Sequence, residues 1–369
     1  MAFTCGSDER AEPLFAPFGV QTAVQSGIGG QNIAENIEGR ERYPINVRYQ
    51  RDFRDSVEQM SKVLIGTPSG AQIPLGQVAR VSFSHVASND AVSIAISTDS
   101  GSISSYNVAG RELLTAPLEP NYWRAPTDND RGNAMPQRQG VWQLASLHRI
   151  ITNVKGEQVA PNVVKVTSTA RLPAGGATQS YTYTIHGDGS VEIDSVFEPG
   201  NTPLPDLPRV GMQMRVVRAL RNVEWYGRGP QENYWDRNLG AAVGIYKNDV
   251  DHLWFPYVEP QETGNRTDIR WVSFTDDQGF GLKATGMPLL NFSAWPFRMS
   301  ELEHEKTPVN FGHKHSAEIV PSDDITVNLD FRQMGVAGDD SWGAPVHREF
   351  SLPSSRYEYK FLLEPVGVH

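Results

Sequence analysis

The chain has 369 residues, with 33 Lys and Arg against 43 Asp and Glu and a formal net charge of −10. A 39% hydrophobic and 21% charged composition suits a globular protein of one long domain or two. It excludes a nucleic-acid-binding chain, which needs a concentrated basic face, and the single Cys5 excludes an internal disulfide framework or a cysteine-rich zinc site.

Residues 1–15 lack the basic start and apolar core of a signal peptide, and no run approaches the ~20 apolar residues that span a bilayer. The chain is therefore expected in the cytoplasm, away from membranes and nucleic acid, with residues 1–18 disordered. Residues 19–85 predict a small α/β segment. A short helix is expected at 20–27, a strand at 45–49 and one or two helical turns at 55–60 that open on the capping residue Asp55. Gly66-Thr67-Pro68-Ser69-Gly70 predicts a turn between two short strands.

All eight tryptophans lie after residue 85, where the composition changes. Val92, Ile94 and Ile96 mark one face of a strand, Asp99-Ser100-Gly101 turns the chain, and 102–108 makes a second strand. A hairpin is expected where 181–185 runs into His186-Gly187-Asp188-Gly189-Ser190 and returns through 191–193. Further strands are expected at 270–274, 281–285, 325–331 and 357–363. Many short strands with Gly and Pro turns, and no long amphipathic helix, predict a large antiparallel β-sandwich from about residue 90 to the end.

Several clusters have chemical potential. Asp128-Asn129-Asp130-Arg131-Gly132 has the look of a calcium loop but lacks the later ligands of an EF-hand. A hydrogen-bonded loop is the simpler expectation, its aspartates satisfying backbone N–H groups and Arg124. His313 and His315, with His304 near in sequence, lack a clear third metal ligand. Retaining glycoside hydrolysis needs two carboxylates ~5–5.5 Å apart. Glu259 and Glu262, Glu301, Glu303 and Glu305, and Asp339 and Asp340 are candidates, though a solvated acidic loop is the expected reading of each cluster. Aromatics in turn-rich segments around Trp225, Trp235 and Trp342, beside carboxylates and amides, are the means by which proteins grip sugars. Core packing is the competing account of any one tryptophan.

Four segments together carry a resemblance. Residues 121–130, with Trp123-Arg124-Ala125-Pro126-Thr127-Asp128-Asn129-Asp130, are similar to the WRAPTDND signature of the small chain of family 2 β-galactosidases. Residues 223–234, ending Gly229-Pro230-Gln231-Glu232-Asn233-Tyr234, resemble its GxGPxENY segment. Residues 257–266, with Pro260-Gln261-Glu262-Thr263-Gly264-Asn265-Arg266, resemble its PQExGNR segment. Residues 334–342, Met334 to Trp342, are similar to MGxGGDDSW, departing at Ala337 where the pattern has glycine, which bears on the backbone of that loop. The four occur in the family's order.

The resemblance implies a galactose-mutarotase-like supersandwich and the non-catalytic part of a retaining β-galactosidase that hydrolyses terminal β-D-galactosides. In that family two glutamates on a (β/α)₈ barrel perform the chemistry, and such a barrel takes ~250 residues, more than twice what precedes the sandwich here. The chain is thus expected to bear no catalytic residue and to need a large chain as partner for activity. Trp342 would form part of the sugar platform, with Gly338, Asp339 and Asp340 shaping its loop. Arg124, Asp128, Asn129, Asp130, Glu232 and Asn233 would be structural or face the neighbouring domain. Magnesium or sodium would sit on the catalytic domain and no metal on this chain. A stand-alone carbohydrate-binding module is the alternative.

Residues 38–49 and 68–79 resemble a periplasmic segment of heavy-metal efflux pumps of the resistance–nodulation–division type, over about 19–81. The segment includes no membrane helix or proton-relay carboxylate, so a fusion with a non-transporting pump fragment is a further alternative.

Overall fold

A computed structural model describes residues 56–66, 72–77, 84–89, 91–303, 312–340 and 342–368, with the backbone of strands 3–4, 31–38, 41–47 and 80–81. The chain divides into two compact units, Met1–Ser84 and His85–His369.

In the first unit, strands Gln31–Glu38 and Glu41–Val47 pair as an antiparallel hairpin. The second overlaps the strand expected at 45–49, and the first was not anticipated. Helix Val57–Lys62 begins one residue later than expected. Ser56, not Asp55, caps it, its Oγ accepting the Gln59 N–H at 3.2 Å. Leu64–Gly66 and Gln72–Pro74 pair across the expected turn, whose residues 67–70 lie outside the described set. The helix expected at 20–27 also lies outside it, as do residues 1–18 apart from the strand Phe3–Thr4.

The second unit is built on Val92–Ser97 (β1), Ile103–Val108 (β2), Leu114–Asn121 (β3), Ile150–Ala160 (β4), Val163–Arg171 (β5), Thr178–His186 (β6) and Val191–Glu198 (β7). Arg209–Val217 (β8), Asn222–Gly229 (β9), Ala242–Asp249 (β10), Arg266–Thr275 (β11), Gly281–Trp295 (β12), Asp324–Gln333 (β13) and Tyr357–Val366 (β14) follow. Hydrogen bonds order them β4-β5-β6-β7-β14-β12-β13-β8-β3-β2-β1, with β11 also on β12 and β9 between β11 and β10. These pairings are antiparallel. Strand β12 runs well past the expected 281–285. Its first half, from Gly281 to Met287, pairs with β14, and its second half, from Asn291 to Trp295, pairs with β13. One strand thus joins the two halves of the sheet that fold over the core.

Period-two alternation explains the layering. Gln179, Tyr181, Tyr183 and Ile185 of β6 are buried while their neighbours are half-exposed. Val92, Ile94 and Ile96 are buried together as expected. The glycine hairpin between β6 and β7 forms as expected, with Gly189 at φ +89° and its N–H donating to the His186 carbonyl at 3.0 Å. Strands β8 and β13 are buried on both faces. Val210, Met212, Met214 and Val216, with Ile325, Val327 and Leu329, enter the apolar core. Arg209, Gln213 and Arg215, with Thr326, Asn328 and Asp330, line the opposite, polar face. There Asn328 Oδ1 accepts from Asn121 (3.3 Å), Arg209 (3.1 Å) and Gln213 (2.9 Å), and the Met299 sulfur lies 3.9 Å from the same three side-chain nitrogens. The segment around Met299 therefore covers part of a polar sheet face.

Residues 128–132 are not the loop expected. They form helix α1, Asp128–Gly132, followed by α2, Met135–Gln139, and α3, Val141–Leu147. Thr127 Oγ1 accepts the Asp130 N–H at 3.1 Å and Asp130 accepts the Thr127 N–H at 3.0 Å, a reciprocal cap that starts a helix in this short stretch. Trp142 of α3 is fully buried against Tyr122 and Phe197.

Candidate functional site

The four sequence motifs converge. A solvent-open cleft of about 490 Å³ is lined by Asp128 and Asn129 at the start of α1, Tyr234 and Arg237 after β9, Tyr257, Gln261 and Glu262 before β11, and residues 336–340 after β13. Buried side chains hold these segments in place. Arg124 is 0% exposed; its Nε and Nη2 donate to Asp130 Oδ2 and Oδ1 at 3.0 and 2.9 Å. Its remaining donors reach the Met334 and Gly335 carbonyls, at 2.9 Å for Gly335. One guanidinium thus ties the first motif to the fourth. Asn233 is buried and joins the second motif to the third, accepting from the Thr267 N–H at 3.0 Å while the Asn265 amide donates to its carbonyl at 2.9 Å.

Glu232 gathers donors from Tyr257, Arg237 (2.7 Å), Thr263 (3.0 Å) and the Gly264 N–H (2.6 Å). Asp128 receives Gln261 Nε2 at 3.1 Å and pairs with Arg131, which also reaches Glu259 at 2.8 Å. Of the six residues expected to be structural or to face a neighbouring domain, Arg124, Asp130 and Asn233 are buried in this unit. Asp128 is exposed, and Asn129 and Glu232 are half-buried.

The loop after β13 carries Trp342, the most exposed tryptophan, at 87%. It is not among the residues that line the cleft. Asp340 Oδ1 accepts the Trp342 and Ala344 N–H groups at 2.9 and 3.1 Å, and these two bonds hold its carboxyl below the usual carboxylate range. Asn129 Nδ2 donates to the Asp340 carbonyl at 3.3 Å. Asp339 pairs with His347 at 2.7 Å, and that bond raises the histidine's pKa. A Cβ on Gly338 would come within 2.2 Å of the Ala344 carbonyl oxygen, so the loop closes on itself only with glycine there. Ala337 is not among the non-glycine residues with positive φ, which are Ala109, Ala134 and Asp268 among the described residues, so alanine fits where the pattern has glycine.

Two residues given no role by the sequence reading hold this loop. Asp236 accepts the Val336 and Ala337 N–H groups at 2.8 and 2.9 Å. Gly132 packs directly against the loop backbone: a Cβ there would meet the Trp342 carbonyl oxygen at 2.6 Å. Gly132 closes the Asp128-Asn129-Asp130-Arg131-Gly132 segment and Asp236 follows the second motif by two residues, and that position was the available signal.

Two of the three acidic clusters are not the solvated loops expected. Glu262, Glu301 and Glu303 are buried. Glu262 receives Arg209 and Gln333, each at 3.1 Å. Burial raises its pKa against the opposing Arg209 charge. Asp330 lies 3.4 Å from Arg209 Nε, and neither of its oxygens has a hydrogen-bond donor. Burial pushes it up to about 7, Arg209 opposes the rise, and Glu262 adds to it. Glu303 accepts Trp123 Nε1 at 2.8 Å, and Glu301 pairs with His313 at 2.5 Å. Asp339 and Asp340 are exposed. His304 and Glu305 lie outside the described residues, among which no group of three or more His, Cys, Asp or Glu is placed to hold a metal. Trp225 is not in a loop as expected; it is buried in β9, with the Arg266 guanidinium 5.3 Å from its ring centre.

The described Beta galactosidase small chain family matches residues 88–363. The chain belongs to that family. A β-galactosidase of Priestia megaterium is 39% identical over 72% of this chain and 25% of its own length, and one of Halalkalibacterium halodurans is 35% identical over 72% and 26%. One from Streptococcus thermophilus is 32% identical over 74% of this chain and 26% of its own length. The chain thus spans about a quarter of the length of these relatives. A solved galactose mutarotase related enzyme from Lactobacillus acidophilus is similar at 11% identity and TM-score 0.42, over 77% of this chain and 97% of that one. The family match starts at residue 88, and none of these likenesses supports an efflux-pump origin for the residues before it. No helix among the described residues is long and apolar enough to cross a membrane.

Proposed function

We propose that this small chain completes the galactoside site of a β-galactosidase catalytic domain and performs no bond cleavage itself. The convergence of all four motifs on one cleft, with the exposed Trp342 beside it, carries the proposal. Trp342 stacks on the apolar face of the sugar, and Asp339, Asp340 and Gly338 fix its loop. Two glutamates of a large chain act as nucleophile and acid/base in retaining hydrolysis of terminal β-D-galactosides. Magnesium or sodium is held by that large chain. On this side the carboxylates are already engaged: Asp130 by Arg124, Glu262 by Arg209 and Gln333, and Glu232 by its four donors. The protein works in the cytoplasm.

The docking face includes Phe255 and Val258, which are 57% and 79% exposed and flank the cleft residue Tyr257. The Phe255 and Tyr257 rings sit 4.8 Å apart, an aromatic pair available to a partner. Sedimentation of the chain mixed with a family large chain tests this. A complex lost in the Phe255→Asp, Val258→Asp double variant supports the proposal, and no complex with the unmodified chain refutes it.

A further inference from the structure

A second cavity, of about 260 Å³, shares no lining residue with the motif cleft. Its floor is the polar face of β8 and β13, where Gln213, Arg215 and Thr326 stand side by side, with Met299 against Gln213. Thr326 is 1% exposed, and its hydroxyl has no hydrogen-bond partner. A buried, unpartnered hydroxyl costs stability unless something in the cavity completes it. The walls divide by chemistry. Trp123, Leu147 and Met299 supply apolar surface, while Gln143, Ser300 and Glu303 supply donors and acceptors.

The charges balance. Arg215 is paired with Asp324 at 2.9 Å, and the remaining lining charges are one guanidinium, Arg298, and one carboxylate, Glu303. Such a site favours a neutral occupant over an anion. The volume lies below the ~300–1,000 Å³ of pockets for drug-sized ligands, which limits the occupant to about one ring. We propose that this cavity is a second ligand site on the small chain, taking a neutral polyhydroxylated molecule the size of one sugar ring, with Thr326 hydrogen-bonded to a ligand hydroxyl and the C–H face against Trp123 and Met299. The site does not rest on the galactosidase reading, because it lies apart from the cleft and needs no catalytic domain.

The test is titration of D-galactose and D-glucose into the full chain carrying Trp342→Ala, which removes the proposed cleft platform, followed by calorimetry or saturation-transfer NMR at millimolar sugar. Saturable binding of at least one hexose is expected. Adding Thr326→Val, which keeps the shape and removes the hydroxyl, weakens it about fivefold or more. Adding Leu147→Trp, at an exposed position on the cavity wall, abolishes it. Near-ultraviolet circular dichroism checks folding, and the Leu147 variant keeps the test readable if the Thr326 variant does not fold. No saturable binding of either hexose overturns the inference, as does binding that either folded variant leaves unchanged.

Discussion

Arg124 and Asp130 form a two-pronged ion pair, at 3.0 and 2.9 Å, with both side chains at most 2% exposed to solvent. The pair joins the start of α1 to the carbonyls that open the Trp342 loop. Removing one partner leaves the other charge buried and uncompensated. Asp130→Ala should therefore destabilise the sandwich by about 3–5 kcal/mol, measured by urea unfolding. A loss near zero would show that the pair does not hold the site together.

Trp342 contributes little to the core, because it is 87% exposed. Trp342→Ala should leave the unfolding free energy unchanged within about 0.5 kcal/mol. In a reconstituted enzyme it should raise KM for a β-galactoside about tenfold, with a smaller effect on kcat. Unchanged kinetics would remove the assigned role.

The loop's position depends on Gly132. A Cβ at this position meets backbone atoms of Trp342 and Gly343, at 2.6 and 2.8 Å, and backbone cannot swing aside as a flexible side chain can. Gly132→Ala should displace the tryptophan at a stability cost of about 1–3 kcal/mol. It should reproduce the KM effect of Trp342→Ala in the reconstituted enzyme. A normal KM would mean that the loop does not need this contact.

Much of this arrangement was legible in the sequence. Alternation gave the strands from β6 to β7 and the placing of Val92, Ile94 and Ile96, because one face of each strand meets the core. Motif order indicated the family, and through it the Trp342 loop as the part expected to meet a sugar; that the motifs converge on one cleft is seen only in the structure. What the sequence did not show is non-local. Glu262 reads as a solvated acid until Arg209, on strand β8, is found against it. Glu303 meets Trp123 from 180 residues away. Helices α1 to α3 are each too short to display a helical period, and the reciprocal cap that starts α1 reads in the sequence as loop chemistry.

Asp330 should make stability depend on pH. Its folded pKa is raised from 3.8 to about 7, so the folded state keeps a proton that the unfolded chain has released. The stability this gives is fully present below the unfolded value and is lost as pH rises through the folded one. Between about pH 4 and 7 the unmodified chain should lose stability relative to Asp330→Asn, with the difference levelling off above that window. Chemical unfolding of both proteins across the range checks the slope. Parallel curves would show that Asp330 is ionised throughout.

The central claim is that the small chain completes a sugar site and does not cleave the bond. Hydrolysis of a chromogenic β-galactoside by the purified chain, alone and then mixed with a family large chain, tests it most directly. The account predicts no turnover alone and turnover in the mixture above that of the large chain by itself, reduced by Trp342→Ala. Turnover by the chain alone would place a working carboxylate pair within it and contradict the account, as would a mixture no more active than the large chain.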